Sequence, residues 1–224
     1  MANIGCRIYT AINRPSQSLI AEFGAIPVAN IADNMGRISC VDSHIKPYNN
    51  VRLLGPAFTV KAPLGDNLMF HKALDMAQPG DVIVVDGEAD LNHSLCGEIM
   101  FRYAISRGIA GFLIDGCIRD AAALKELDFP VYARGVQPKG PYKNGPGEIN
   151  VPVSIGGQAV LPGDIVVGDS DGVVVIRPAD ADALLEKSKA HNQMEARTFE
   201  QIAAGTFDRS WVDKTLKEKG CEIL

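Results

Sequence analysis

Four polar residues, in two pairs, stand where an α/β protein does chemistry: Gly97-Glu98 and Arg119-Asp120. Each pair follows a short apolar run read as a buried strand, Val82-Ile83-Val84-Val85 with Asp86-Gly87 behind it, and Phe112-Leu113-Ile114 with Asp115-Gly116 behind it. In open α/β sheets ligands bind beyond the carboxyl ends of the strands, so residues there converge on one edge. After the first run come Glu88, Asp90, His93, Gly97 and Glu98; after the second come Arg119 and Asp120. A helix N-terminus at that edge would present free backbone N–H groups to a carboxylate. Arg119 adds a planar fork for the same kind of ligand. Two carboxylates, Glu98 and Asp120, suit a hard divalent cation such as Mg²⁺ or Mn²⁺. Taken singly, each residue has a structural reading as well: Asp120 as the N-cap of its own helix, and Glu98 as a first-turn acid favoured by the helix dipole. A second polar group, Gly65-Asp66-Asn67 with His71 one turn on, opens another helix, with Asn67 as its cap.

The elements that must position these residues follow from apolar spacing. Helices are expected over Ser16 to Phe23, Pro27 to Met35, Leu68 to Gln78 (with Leu68, Ala73, Leu74 and Ala77 inward), Ser94 to Arg107 (with Leu95, Ile99, Tyr103 and Ala104 inward, capped by Gly108) and Ala121 to Leu127. Strands are expected over Gly55 to Ala62, Asp81 to Asp86, Gly111 to Gly116 and Pro130 to Arg134. Strand, helix, strand at this spacing implies βαβ units with parallel pairing. A Gly- and Pro-dense stretch, Gln137 to Gly147, reads as an exposed, mobile loop. Short strands follow over Ile149 to Ile155, Ala159 to Leu161, Ile165 to Gly168 and Gly172 to Ile176, as hairpins or a meander. A long amphipathic helix over Ala179 to Ala204 and a last one over Asp208 to Lys219 close the chain. Pro79-Gly80-Asp81 and Pro162-Gly163-Asp164 echo one another as a turn-to-strand device.

Composition excludes several classes. With 224 residues and 46% hydrophobic content, one domain spanning 1–224 with a sizeable core is expected. A net charge of −5 argues against nucleic acid as a ligand, because phosphate binding needs clustered Lys and Arg. The longest apolar runs are strand-sized, so no membrane span is expected. Five widely spaced cysteines form neither a disulfide framework nor a CxxC zinc site, which fits reduced thiols and a cytoplasmic setting.

The sequence resembles the family of the 4-hydroxy-4-methyl-2-oxoglutarate / 4-carboxy-4-hydroxy-2-oxoadipate aldolases, which also contains the regulator of ribonuclease activity A. The likeness is carried by Gly65-Asp66-Asn67-Leu68, Pro79-Gly80-Asp81-Val82, Gly97-Glu98, Arg107-Gly108, Gly111 to Asp120, Pro130 to Gly135, Pro162-Gly163-Asp164 and Asp169 to Val175. It implies a layered α/β/β "swivelling" fold with a mixed sheet, a homotrimer or homohexamer with sites between subunits, and a class II pyruvate aldolase using Mg²⁺ or Mn²⁺. By that likeness Asp120 binds the metal directly. Glu98, where many relatives have Asp, holds metal-bound water. Arg119 contacts the pyruvate carbonyl or the scissile region, and the backbone of Gly97, Glu98, Ile99 and Met100 binds the carboxylate. His71 and Asn67 line the pocket, and Glu195 of a neighbouring subunit completes the water shell. The implied reaction is retro-aldol cleavage of a 4-hydroxy-2-oxo acid to pyruvate and a second oxo acid, with oxaloacetate decarboxylation as a side activity. The other function in the family is non-catalytic, regulation of a ribonuclease by protein contact.

Overall fold

A computed structural model describes residues 3–222. The chain opens with β1 (Cys6–Ile8), α1 (Gln17–Glu22) and α2 (Val28–Asn34), followed by β2 (Lys46–Pro47) and β3 (Leu53–Lys61). Helix α1 starts where Ser16 accepts a hydrogen bond from the Leu19 amide at 3.3 Å, a common N-cap arrangement. Next come α3 (Leu68–Met76), β4 (Val82–Cys96), α4 (Glu98–Ser106), β5 (Gly111–Ile118), α5 (Ala121–Leu124) and β6 (Val131–Val136). The remainder is β7 (Gly147–Ile149), the hairpin β8 (Val153–Ile155) and β9 (Gln158–Val160), the hairpin β10 (Ile165–Asp169) and β11 (Gly172–Ile176), then α6 (Ala181–Ala203) and α7 (Ser210–Glu218).

Strands β3, β4, β5 and β6 are parallel neighbours, as the βαβ spacing requires. Antiparallel β7 and β2 flank them, and β10 pairs antiparallel with the first half of β3, giving a mixed sheet. One face of the sheet carries α3 and α4 over a cluster in which Phe112 meets Phe70 and Phe129 edge-on, both at 4.9 Å. Each such buried ring contributes about 1.5–3 kcal/mol of burial. The opposite face packs Val82, Val84 and Leu113 on the β8–β9 hairpin and β11. Beyond β10 and β11, a third cluster holds α1, α2 and the first half of α6. The layers therefore run helix, sheet, sheet, helix: a mixed α/β fold with the mixed sheet that the resemblance implied, to which the helices α1, α2 and α6 add an outer layer.

The two Pro-Gly-Asp turns share one construction. Asp81 accepts from the Gln78 amide and Asp164 from the Leu161 amide, both at 2.8 Å, and each carboxylate pairs with an arginine, Arg14 or Arg177, at 2.7 Å. Gly80 and Gly163 sit at φ +90° and +88°, where a side chain would be strained.

Five expectations need correction. Strand β4 does not close at Gly87. Glu88 and Ala89 take positive φ, the chain bulges, and pairing with β5 resumes at Asp90, Ser94 and Cys96. Likewise β5 runs past Gly116 to Ile118. Helix α4 consequently begins at Glu98, four residues later than the apolar spacing implied, and turns Met100, Phe101 and Ala104 inward while Ile99 and Tyr103 are exposed. In α3 the inward residues include Met69 and Phe70, with Leu68 exposed. Finally, loop 137–147 is anchored: the Asn144 and Gly145 amides donate to Asp66, and the Ser94 amide donates to the Lys139 carbonyl.

Candidate active site

Because β4 and β5 extend, their true carboxyl ends meet. Cys96 is registered against Ile118, and the Arg119 amide donates to the Cys96 carbonyl at 2.9 Å. The next residues on the two strands are therefore Gly97-Glu98 and Arg119-Asp120, side by side. Asp120 does not cap its own helix. It sits at φ 58°, ψ 34°, a left-handed conformation that Asp tolerates better than most residues. Its Oδ2 accepts from the Glu98 amide at 3.0 Å, so it caps α4 across the strand gap. Arg119 Nε lies 3.7 Å from the same oxygen. Gly97 makes this approach possible. A Cβ there would stand 2.9 Å from Arg119 Cγ and closer still to Asp120 Oδ2.

Helix α3 supplies the facing wall. Asn67 occupies the cap position, but its side chain makes no capping bond; Asp66 Oδ1 accepts from the Leu68 amide instead, at 2.9 Å. Asn67 Nδ2 donates to the Leu95 carbonyl at 2.8 Å, tying α3 to the end of β4. His71 follows one turn on, and its amide donates to the Asn67 carbonyl. Asp66 holds the loop over the site by accepting two further amides, from Asn144 at 2.6 Å and Gly145 at 3.1 Å. The result is a cleft of about 180 Å³ bounded by Asn67, His71, Gly97, Ile99, Met100, Arg119 and Asp120, with Pro141 and Lys143 from the loop. It lies below the range of about 300–1,000 Å³ usual for drug-sized ligands, which suits a small acid.

Charge in the cleft favours an anion. Arg119 and Lys143 line it, as does the N-terminus of α4. Burial, then the Lys143 charge, push the His71 pKa below its ordinary value, while Asp75 acts the other way; His71 is therefore neutral near pH 7. Burial, then Asp120, hold the Cys96 thiol far above its usual range, so it is not a nucleophile. Among the described residues no three His, Cys, Asp or Glu side chains are placed to share a cation. Mg²⁺ does not need such a cage, because it keeps several waters and takes one or two carboxylates plus ligand oxygens. Asp120 offers that carboxylate on the cleft wall, so the residues present fit such an ion.

The structure thus brings together Gly97, Ile99, Met100, Arg119, Asp120, Asn67 and His71. Glu98 lies at the rim, its carboxylate 2.7–2.8 Å from the Arg102 guanidinium rather than in the cleft. Within one chain Glu195 lies in the far layer, bonded to Asn30 at 2.6 Å; the resemblance assigned it to a neighbouring copy. Of the other strand-end residues, Glu88 is exposed. Asp90 and His93 form a buried pair at 2.7 Å, and Asp86 and Asp115 lie within strands, Asp115 paired with Arg134. Sequence reasoning missed Lys143, Pro141 and Leu95 as cleft residues. The Gly- and Pro-dense loop was the only cue to the first two, and the late start of α4 hid the third.

Comparison with known proteins identifies the family. The RraA-like family model, Aldolase/RraA, matches residues 28–175. The chain is 44% identical over 171 residues to a Halalkalibacterium halodurans protein named "Putative 4-hydroxy-4-methyl-2-oxoglutarate aldolase", covering 76% of this chain and 81% of that one. Among solved structures, Streptomyces coelicolor RraAS2, described as an unusual member of the RNase ES inhibitor RraA family, superposes with a TM-score of 0.75 at 28% identity, covering 84% of this chain and all of that one. The RNA-processing inhibitor RraA of Thermus thermophilis superposes with a TM-score of 0.62 at 29% identity, covering 67% and 92%. No helix among the described residues is long and apolar enough to cross a membrane. The chain belongs to the RraA-like, Aldolase/RraA family.

Proposed function

We propose that the chain is a divalent-metal-dependent lyase. It cleaves a 4-hydroxy-2-oxo acid by a retro-aldol reaction to pyruvate and a second oxo acid, and it decarboxylates oxaloacetate through the same enolate. The observation that carries this reading is the meeting of Arg119, Asp120 and the α4 N-terminus in one small anion-favouring cleft at the ends of β4 and β5. The amides at the start of α4 that Asp120 and the Gly97 carbonyl leave free receive the ligand carboxylate. Arg119 donates to the keto oxygen, where negative charge grows as the C3–C4 bond breaks, and stabilises it in place. Asp120, with Glu98 through water, holds Mg²⁺ or Mn²⁺. The bound ion supplies Lewis-acid polarisation of the 2-oxo acid. Neutral His71 and the loop bearing Lys143 and Pro141 close off the small acid from bulk water.

A ribonuclease regulator acting by protein contact is the other reading within the family, and the names of the Streptomyces and Thermus relatives favour it. A preorganised cleft with Arg119 and Asp120 on its wall is superfluous to such a role, so the enzyme is preferred. Assembly into a homotrimer or homohexamer belongs to the same proposal. Met194, Phe199, Ile202, Trp211 and Leu216 of α6 and α7 are exposed large apolar side chains, the kind of surface a second copy covers. The decisive experiment measures pyruvate release from several 4-hydroxy-2-oxo acids with and without EDTA. Activity should vanish on chelation and return with Mg²⁺ or Mn²⁺; full activity after exhaustive chelation would rule out the metal role.

A further inference from the structure

Glu98 stands beside the cleft, but its carboxylate is already engaged. The Glu98 amide donates to Asp120 Oδ2 at 3.0 Å, so the two acids are neighbours at the strand ends. The Glu98 side chain turns along α4 instead, where Arg102 Nε and Nη2 both reach Oε1, at 2.8 and 2.7 Å. Arg102 lies one turn on, at the spacing where Glu and Arg meet on a helix surface. The pair is not what holds α4 in place: Met100, Phe101 and Ala104 are buried in the core, whereas the Arg102 side chain is 62% exposed. A divalent cation at Asp120 and the Arg102 guanidinium therefore draw on the same carboxylate. We propose that Arg102 is a positioning residue that sets the affinity of the site for its divalent cation by competing for Glu98.

The strength of the pair suits that task. Each acid has its own arginine, since Arg119 Nε lies 3.7 Å from Asp120 Oδ2, and the two arginines offset what would otherwise be two neighbouring bare carboxylates. An exposed pair four residues apart contributes little to stability, so Glu98 leaves Arg102 at small cost when a more highly charged partner arrives. A buried pair would lock Glu98 in place, because its rupture would strand a charge away from water. Arg102 thus tunes the cation affinity without abolishing it. The inference rests on the lyase reading, in which Glu98 serves the cation through water, and adds to it the contact that Glu98 must give up to do so.

The test is a titration with Mn²⁺ alone, followed by the electron paramagnetic resonance signal of the free ion, on wild type, Arg102→Gln, Glu98→Gln and the double variant. Arg102→Gln should tighten Mn²⁺ binding by about two- to fivefold, the range that releasing an exposed pair supplies. Glu98→Gln should weaken binding, and Arg102→Gln added to it should have almost no effect, because the competitor then has nothing to withhold. Arg102→Lys keeps a competing cation and should stay within about twofold of wild type. Thermal melts of all the variants should agree with wild type within a few degrees, as for other surface substitutions. Equal tightening in both backgrounds would show that Arg102 acts by its charge alone, and unchanged or weaker binding in Arg102→Gln would show that it does not compete; either result overturns the proposal. A wild-type chain without Mn²⁺ affinity overturns the cation reading and this inference together. Mn²⁺ binding that Glu98→Gln leaves unchanged removes Glu98 from the site and overturns the inference while the cation reading stands.

Discussion

Replacing Gly97 by alanine is the sharpest perturbation of the strand-end site. The backbone there is extended, at φ −156° and ψ −165°, so alanine brings no conformational strain and the whole effect is steric. The added methyl would stand 2.9 Å from Arg119 Cγ and 3.1 Å from its Nε, against the 3.4 Å at which ordinary contact begins, and it would crowd Asp120 Oδ2 more severely. Arg119 must therefore retreat by about half an ångström, and Asp120 must give up the Glu98 amide. Misplacing a reacting group by about 1 Å costs on the order of 10²-fold, so kcat/KM for pyruvate release should fall by about 10–100-fold. Stability should scarcely change. The Asp120 carboxylate is half exposed, and losing one such hydrogen bond costs about 1 kcal/mol, or roughly 2–4 °C in Tm for a chain of this size. The assay is pyruvate release under saturating and limiting substrate, beside a thermal melt of the same preparation. A Gly97→Ala protein with near-normal kcat/KM would show that Arg119 and Asp120 need not hold their present positions, and the assignment of the site would fail.

Arg119→Lys keeps the charge but loses the planar fork, and kcat should fall by roughly 10²-fold, the scale for one lost oxyanion donor; near-normal kcat would remove Arg119 from charge stabilisation. Asp66→Ala leaves the Leu68, Asn144 and Gly145 amides without their acceptor and should cost about 2–4 kcal/mol, with faster proteolysis inside 137–147; an unchanged digestion pattern would mean that the loop is held by other contacts. His71 has its pKa lowered from 6.5 by burial and then by Lys143, so the unfolded chain takes up that proton first as pH falls. The stability linked to His71 is whole above about pH 6.5 and is lost as pH drops through the lowered folded value. His71→Gln should flatten the acid-side decline of Tm, and an identical decline would assign it to other groups.

The site was legible in the sequence for a reason different from the one the sequence suggests. Asp86-Gly87 and Asp115-Gly116 look like strand ends because Asp and Gly are turn formers, yet both strands run on. Glu88 and Ala89 absorb a bulge, and the pairing of Asp90, Ser94 and Cys96 with Gly116, Cys117 and Ile118 is a long-range constraint that no local pattern encodes. Gly97-Glu98 and Arg119-Asp120 nevertheless come out adjacent, because successive register shifts let β4 spend residues 90–96 against residues 116–118 of β5, and the true ends meet at Cys96 and Ile118. The apolar runs read as buried strands are buried in full, since burial on both faces leaves Val, Ile and Leu at every position. Side-chain partnership was the illegible part. Asp120 and Asn67 each stand at a helix start, and propensity assigns both as caps of their own helices. In the fold neither does so: the Asp120 carboxylate accepts the Glu98 amide across the strand gap, and Asp66 rather than Asn67 accepts the Leu68 amide of α3. A residue of capping type that does not cap its own helix is free to act elsewhere, and Asp120 and Asn67 both stand on the wall of the candidate active site.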